Sequence, residues 1–241
     1  MKRLLISAVF ASLTVAAHAG TDLLDDGSFN QATPGGLISN SNWLLTANFP
    51  DPNAPMEEAA QFQGGFANAE NGSGGPGDGG NGIWFKSFLG MRAGDPNIPG
   101  ADADITQSVM APVDGDYILN FVAGREANFT ASEFYVSLSS DGTGGSSQID
   151  LLTASMIAGN IGGAASPALG GNPFSLTLLG VSAGDMLTVS GVMVDGVDFN
   201  MPGGQSAFLD RFALTLVPEP SSIALLSLAG AGLAAQRRCR A

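Results

Sequence analysis

The chain has 241 residues, 34 of them glycine, with 22 acidic against nine basic side chains and a formal charge of −13. Its one His and one Cys, His18 and Cys239, lie near the two ends, so residues 20–217 contain neither imidazole nor thiol. That interior is closed to Ser-His-Asp and Cys-His catalysis, to zinc sites built on His or Cys, to haem ligation and to disulfides. With twenty-one carboxylates against Lys86, Arg92, Arg125 and Arg211, it is also a poor partner for nucleic acid or anionic lipid.

At the N-terminus, Lys2 and Arg3 precede an apolar stretch from Leu4 to Ala17, and Ala17-His18-Ala19 gives the small-x-small pattern that signal peptidase needs before Gly20. Fourteen helical residues span about 21 Å, short of a ~30 Å hydrocarbon core. Residues 1–19 therefore read as a secretory signal peptide, with Gly20 the expected first residue of the mature chain.

Residues 20–217 are of a size for one domain. Helical periodicity is scarce there, whereas period-2 segments separated by Gly, Pro, Asp and Asn recur, so the domain reads as all-β. In chain order the expected strands begin with Leu23 to Phe29. Ile105 to Met110 is the next, ended by a turn at Pro112-Val113-Asp114-Gly115-Asp116. Tyr117, Leu119, Phe121 and Ala123 then share one face. Phe134, Val136 and Leu138 alternate with Tyr135 and Ser137 up to the turn cluster Asp141-Gly142-Thr143-Gly144-Gly145. Phe174, Leu176 and Leu178 come next, then a turn at Ala183-Gly184-Asp185, a strand from Met186 to Val194, and a last one from Phe208 to Leu216. Six or more strands are expected in all. Ala67 to Gly82 is too rich in glycine to pack a core and reads as a long surface loop, with Ala158 to Gly171 a second loose stretch.

The C-terminal segment has three parts: Val217-Pro218-Glu219-Pro220, an uncharged apolar run from Ile223 to Ala235, and a basic stop containing Arg237, Arg238 and Arg240. Prolines around a single Glu favour neither strand nor helix interior, so this tripeptide is expected to be extended and accessible. The apolar run is expected to be helical in lipid, with the arginines held on the cytoplasmic side. This order resembles the PEP-CTERM sorting signal of Gram-negative bacteria. The resemblance implies a transmembrane sorting tail over 218–241, transient inner-membrane anchoring, and an exosortase acting at Pro218-Glu219-Pro220, which are substrate residues and not catalysts. It also implies a final location at the cell surface or in the extracellular matrix.

A second resemblance covers most of residues 20–217. Leu23-Leu24-Asp25-Asp26-Gly27-Ser28-Phe29-Asn30, the Ile105-Thr106-Gln107 and Gly115 to Phe121 block, and Ala207-Phe208-Leu209-Asp210-Arg211-Phe212-Ala213-Leu214 are similar to strand signatures of galactose-binding-like jelly rolls, which include many carbohydrate-binding modules. The resemblance implies a jelly-roll β-sandwich with a structural calcium between the first and last strands. Asp210 matches one calcium position, and Asn30 stands where an acid is usual, which removes a charge and lowers the expected affinity. In a regular strand Asp210 would share a face with Phe208, Phe212, Leu214 and Leu216 and point into the core. A buried carboxylate there needs a cation or several donors.

Carbohydrate binding needs an aromatic platform and convergent polar groups, for which Trp43 and Trp84 are the candidates, although tryptophan more often packs in a core. The sequence reading is of an exported, exosortase-processed protein with a non-catalytic binding or structural β-sandwich, suited to extracellular polysaccharide or biofilm. The alternative is a secreted polysaccharide hydrolase using a carboxylate pair. Asp102 with Asp104, Asp114 with Asp116, and Asp195 with Asp198 are the pairs available, all in turn-like contexts.

Overall fold

Alternating apolar and polar residues place every second side chain of a strand on one face, so each such segment needs a second layer to cover that face. In the computed structural model the described residues are 20–31, 36–37, 42–63, 82–92, 94–126, 128–154, 172–198 and 205–217, and Thr21–Val217 forms one unit. The expected signal peptide, the expected sorting tail, most of the glycine-rich loop and all of the second loose stretch lie outside the described residues.

Eleven strands occur among the described residues: β1 (Leu44–Ala47), β2 (Ala60–Gln63), β3 (Gly82–Lys86), β4 (Met91–Arg92), β5 (Ala101–Met110), β6 (Gly115–Arg125), β7 (Glu133–Ser140), β8 (Ser146–Asp150), β9 (Asn172–Val181), β10 (Met186–Asp198) and β11 (Ser206–Leu216). They form an all-β sandwich of two antiparallel sheets. Sheet one has the order β1-β5-β10-β7-β8, with β4 lying parallel against the end of β10, and sheet two has the order β2-β3-β11-β6-β9. Their inward faces meet in one core. Phe85 of sheet two stacks edge-on against Phe134 of sheet one with ring centroids 5.3 Å apart, and a Cβ on Gly191 in β10 would lie 2.4 Å from Leu209 Cδ1 in β11.

The alternation read from the sequence holds in β6, β7 and β9, where Tyr117, Leu119, Phe121, Ala123, Phe134, Val136, Leu138, Leu176 and Leu178 are buried. Tyr117 also donates its hydroxyl to the Val113 carbonyl at 2.6 Å, which closes the turn before β6.

Two expectations are corrected. Leu23–Phe29 is not a strand but a bent and turned segment fastened to the sheets at separate points. Leu23 N–H donates to the Leu214 carbonyl, Phe212 N–H donates to the Gly27 carbonyl, and the Gln107 side chain both accepts from Asp25 N–H and donates to the Asp25 carbonyl. Positive φ at Asp26 (53°) and Phe29 (56°) gives the segment its bends. The second correction concerns β11, which bulges between Asp210 and Ala213, with Arg211 at φ 53°. A bulge inserts one residue and reverses the facing of the remainder of the strand. Ala207 and Leu209 point into the core before it, and Phe212 and Leu214 after it. Asp210 therefore shares the outer face of sheet two with Phe208, which is registered against Trp84, although Asp210 remains fully buried.

Gly27 sits where this segment crosses the bulge, and a Cβ there would lie 1.8 Å from the Phe212 carbonyl oxygen. Gly27→Ala is expected to cost about 3 kcal/mol, because backbone must move. Gly191→Ala, which meets the movable Leu209 side chain, is expected to cost about 1 kcal/mol. Urea unfolding of both variants checks this, and equal losses would contradict the account.

Candidate functional site

The outer face of sheet one is built from the polar positions of alternating strands. The segment Ala101-Asp102-Ala103-Asp104-Ile105 buries its alanines and Ile105 and presents both aspartates outward, so Asp102 and Asp104 lie in a strand and not in a turn. Register sets a row across the sheet: Thr46 of β1, Asp104 of β5, Val192 of β10, Tyr135 of β7 and Asp150 of β8. The next row is Leu44, Thr106, Ser190, Ser137 and Gln148. In a further row the Ser108 and Thr188 hydroxyls are 2.8 Å apart.

An open groove of about 300 Å³ runs along this face between β1, β5 and β10, lined by Thr46, Asn48, Asp102, Asp104, Val192 and Val194 among others. Tyr135 is half-buried beside it. Partial desolvation raises the Asp104 carboxyl above its ordinary value, although the residue still meets solvent. Desolvation, then the charges of Glu133 and Asp104, push the Tyr135 phenol up. Among the described residues no basic side chain relieves these groups. Lys86, Arg125 and Arg211 belong to sheet two, and Arg92 is held by Asp51 and Asp198.

Of the other carboxylate pairs, Asp114 and Asp116 serve the backbone at a turn, whereas Asp195 and Asp198 lie in β10 and not in a turn. Asp114 and Asp116 accept the N–H groups of Ala183 and Gly180 at 2.7 and 2.8 Å, which ties the β5–β6 turn to the end of β9. Asp102 Oδ1 accepts Asp195 N–H at 2.8 Å, and Asp198 pairs with Arg92 at 3.0 Å. Burial works to raise the Asp51 carboxyl, but the Asn53 N–H and the Arg92 guanidinium together hold it below its ordinary value.

The residues named from sequence are dispersed. Trp43 is 4 % exposed and packs against Phe29 and Phe212, with its indole N–H on the Asp26 carbonyl. Its faces are core contacts, so it is no sugar platform. Trp84 is half-buried on the outer face of sheet two, with Lys86 Nζ 4.6 Å from its ring centroid. Lys86 is itself buried, with Nζ 2.9 Å from Gln61 Oε1 and 3.4 Å from Glu57. Asn30 is exposed with its backbone N–H on the Asp26 carboxylate, and Asp210 Oδ1 accepts Arg211 N–H at 2.6 Å. Among the described residues no three or more His, Cys, Asp or Glu side chains gather as a metal site. Sequence reasoning missed Tyr135, Thr46 and the outward use of Asp104, although the Ala-Asp-Ala-Asp alternation at 101–104 was the available signal.

A family model, the PEP-CTERM protein-sorting motif, matches residues 216–238. No curated protein matches the chain. Solved structures that resemble it include the carbohydrate-binding module TmCBM61 in complex with β-1,4-galactotriose, at 15% identity and TM-score 0.46, covering 82% of this chain and 100% of that one. The CBM22-1 xylan-binding domain of Paenibacillus barcinonensis Xyn10C is 13% identical with TM-score 0.42, covering 85% of this chain and 100% of that one. The K1 cleaved adhesin domain of Lys-gingipain from Porphyromonas gingivalis W83 is 14% identical with TM-score 0.41, covering 82% and 99%. The sandwich assignment rests on the strand pairing itself.

Asp104 offers a test of the groove's electrostatics. A carboxyl whose folded pKa is raised loses stability as pH rises from the unfolded value through the folded one. Asp104→Asn is therefore expected to melt above the wild type at pH 7, with the gap closing as pH falls below about 4. Thermal melts across that range measure it, and a gap that grows on acidification would reverse the assignment.

Proposed function

We propose that this chain is an exported surface or matrix protein whose β-sandwich binds carbohydrate without catalysis, through the outer face of sheet one, and whose tail is processed by an exosortase. The observation that carries the binding reading is the row Thr46, Asp104, Val192, Tyr135 and Asp150 beside the groove. A sugar ring has apolar C–H faces and a rim of hydroxyls, and it is held by an aromatic side chain together with fixed acceptors and donors. Tyr135 with Val192 supplies the apolar contact. Asp104, Thr46, Thr106, Ser190 and Ser137 supply acceptors and donors at the β-sheet spacing of about 4.8 Å between strands.

Export is supported by the sorting motif at residues 216–238 and by the signal-like N-terminus. Together they favour an extracellular polysaccharide, such as that of a biofilm, as the natural ligand.

A glycan array of the secreted domain is expected to return binders. Tyr135→Ala and Asp104→Ala are each expected to weaken the best of them about tenfold, or about 1.4 kcal/mol, while Trp84→Ala leaves affinity within about twofold. Loss confined to Trp84→Ala would move the site to sheet two, and turnover of a bound glycan would favour a hydrolase.

We also propose a structural calcium between Asn30 and Asp210. The support is that the 25–30 segment lies against β11 at Gly27 and Phe212 and that Asp210 is wholly buried. With no cluster of carboxylates at hand among the described residues, main-chain oxygens would complete such a site. Chelator treatment is expected to lower the melting temperature, and Asp210→Ala to abolish bound calcium. An unchanged melt and metal content would dismiss the ion.

A further inference from the structure

The end of β11 is also the beginning of the sorting motif. The motif match starts at Leu216, which is registered against Tyr117 of β6, and the next residue, Val217, donates its N–H to the Asp116 carbonyl at 2.8 Å. No residue separates that last sheet hydrogen bond from Pro218. The partners of the strand end are themselves fixed. Asp116 accepts Gly180 N–H, the Tyr117 hydroxyl is held by Val113, and Leu216 is half-buried against the core.

Enzymes that act on an extended segment commonly hold it through its main-chain N–H and C=O groups as well as its side chains. The residues on the N-terminal side of Pro218-Glu219-Pro220 are Leu216, whose side chain is half-buried against the core, and Val217, whose N–H is already engaged by Asp116 of β6. A backbone donor committed to a sheet cannot serve a second partner without leaving it.

We infer that the folded domain competes with the processing enzyme for Leu216 and Val217, so that the motif becomes a full substrate only when Leu216, the last residue of β11, and Val217, which follows it, come away from β6. The inference rests on the reading of the tail as an exosortase substrate. Strand ends open locally at a small fraction of the global unfolding free energy. The device therefore sets the rate of processing and does not block it, and it couples that rate to completion of the sandwich, since β6 and β11 are neighbours at the centre of sheet two.

The test uses the full-length precursor in a cell that exports it, with pulse-chase and mass spectrometry of the C-terminus. Inserting Gly-Ser-Gly-Ser between Val217 and Pro218 is expected to shorten the precursor half-life about threefold or more. The same insert between Pro220 and Ser221 is expected to leave it unchanged. Leu216→Ala, which loosens the strand end without lengthening the chain, is expected to act in the same direction as the first insert. If both inserts accelerate processing equally, or if neither the first insert nor Leu216→Ala does, the proposal is overturned while the processing reading stands. A wild-type protein that keeps Arg240 overturns the processing reading, and the proposal with it.

Discussion

Strand β11 holds the centre of sheet two between β3 and β6, and its bulge at Arg211 determines what each half of the strand can contact. One inserted residue reverses the facing of the strand, so Leu209 and Phe212 both reach the core although they are three apart in sequence. The same irregularity brings the Phe212 carbonyl against Gly27, where any side chain would collide with backbone. Phe212 then anchors an aromatic group with Phe29, Trp43 and Phe121 at centroid distances of 6.0, 5.3 and 5.4 Å. The N-terminal segment is thus held by irregular contacts with a bulge, and for that reason it needs positive φ at Asp26 and Phe29 where a strand would not.

The two sheets divide the chemistry. Sheet two engages most of its charged groups internally: Lys86 lies with Gln61, Glu57 and the Trp84 ring, and Arg125 donates to the carbonyls of Leu151 and Leu152. Sheet one turns hydroxyls, carboxylates and Tyr135 outward, and its described cation, Arg92 of β4, is held by Asp51 and Asp198 at the end of β10. Partial desolvation raises the Asp104 carboxyl above its ordinary value. That pattern is common at binding surfaces, where polar groups are placed for a ligand and not for the folded chain.

Much of the architecture was legible because strands with one buried face must alternate. Tyr117 to Ala123, Phe134 to Leu138 and Phe174 to Leu178 each announced their inward residues. The short strands β1, β2, β3 and β4 carry too few residues for a period to register, and β8, Ser146–Asp150, is polar on most of its length. Leu23–Phe29 resembled a strand because its apolar residues are buried, but hydrogen bonds to scattered partners bury residues as well as a ladder does. Asp210 was misdirected for a related reason: parity assumes regular pairing, and a bulge carries no reliable sequence mark when the positive-φ residue is an arginine and not a glycine.

Sequence alone determined the sorting motif at 216–238 and the restriction of residues 20–217 to oxygen-based and aromatic chemistry, since residue identity needs no fold to be known. It also determined that the domain is all-β, because period-2 alternation is a local property. Which side chains stand together was decided by tertiary structure. Thr46, Asp104, Val192, Tyr135 and Asp150 come from five strands and meet only through interstrand register, while Trp43, one of the two candidate sugar platforms, was claimed by the aromatic core. Register depends on pairing between segments distant in sequence, and no local pattern encodes it.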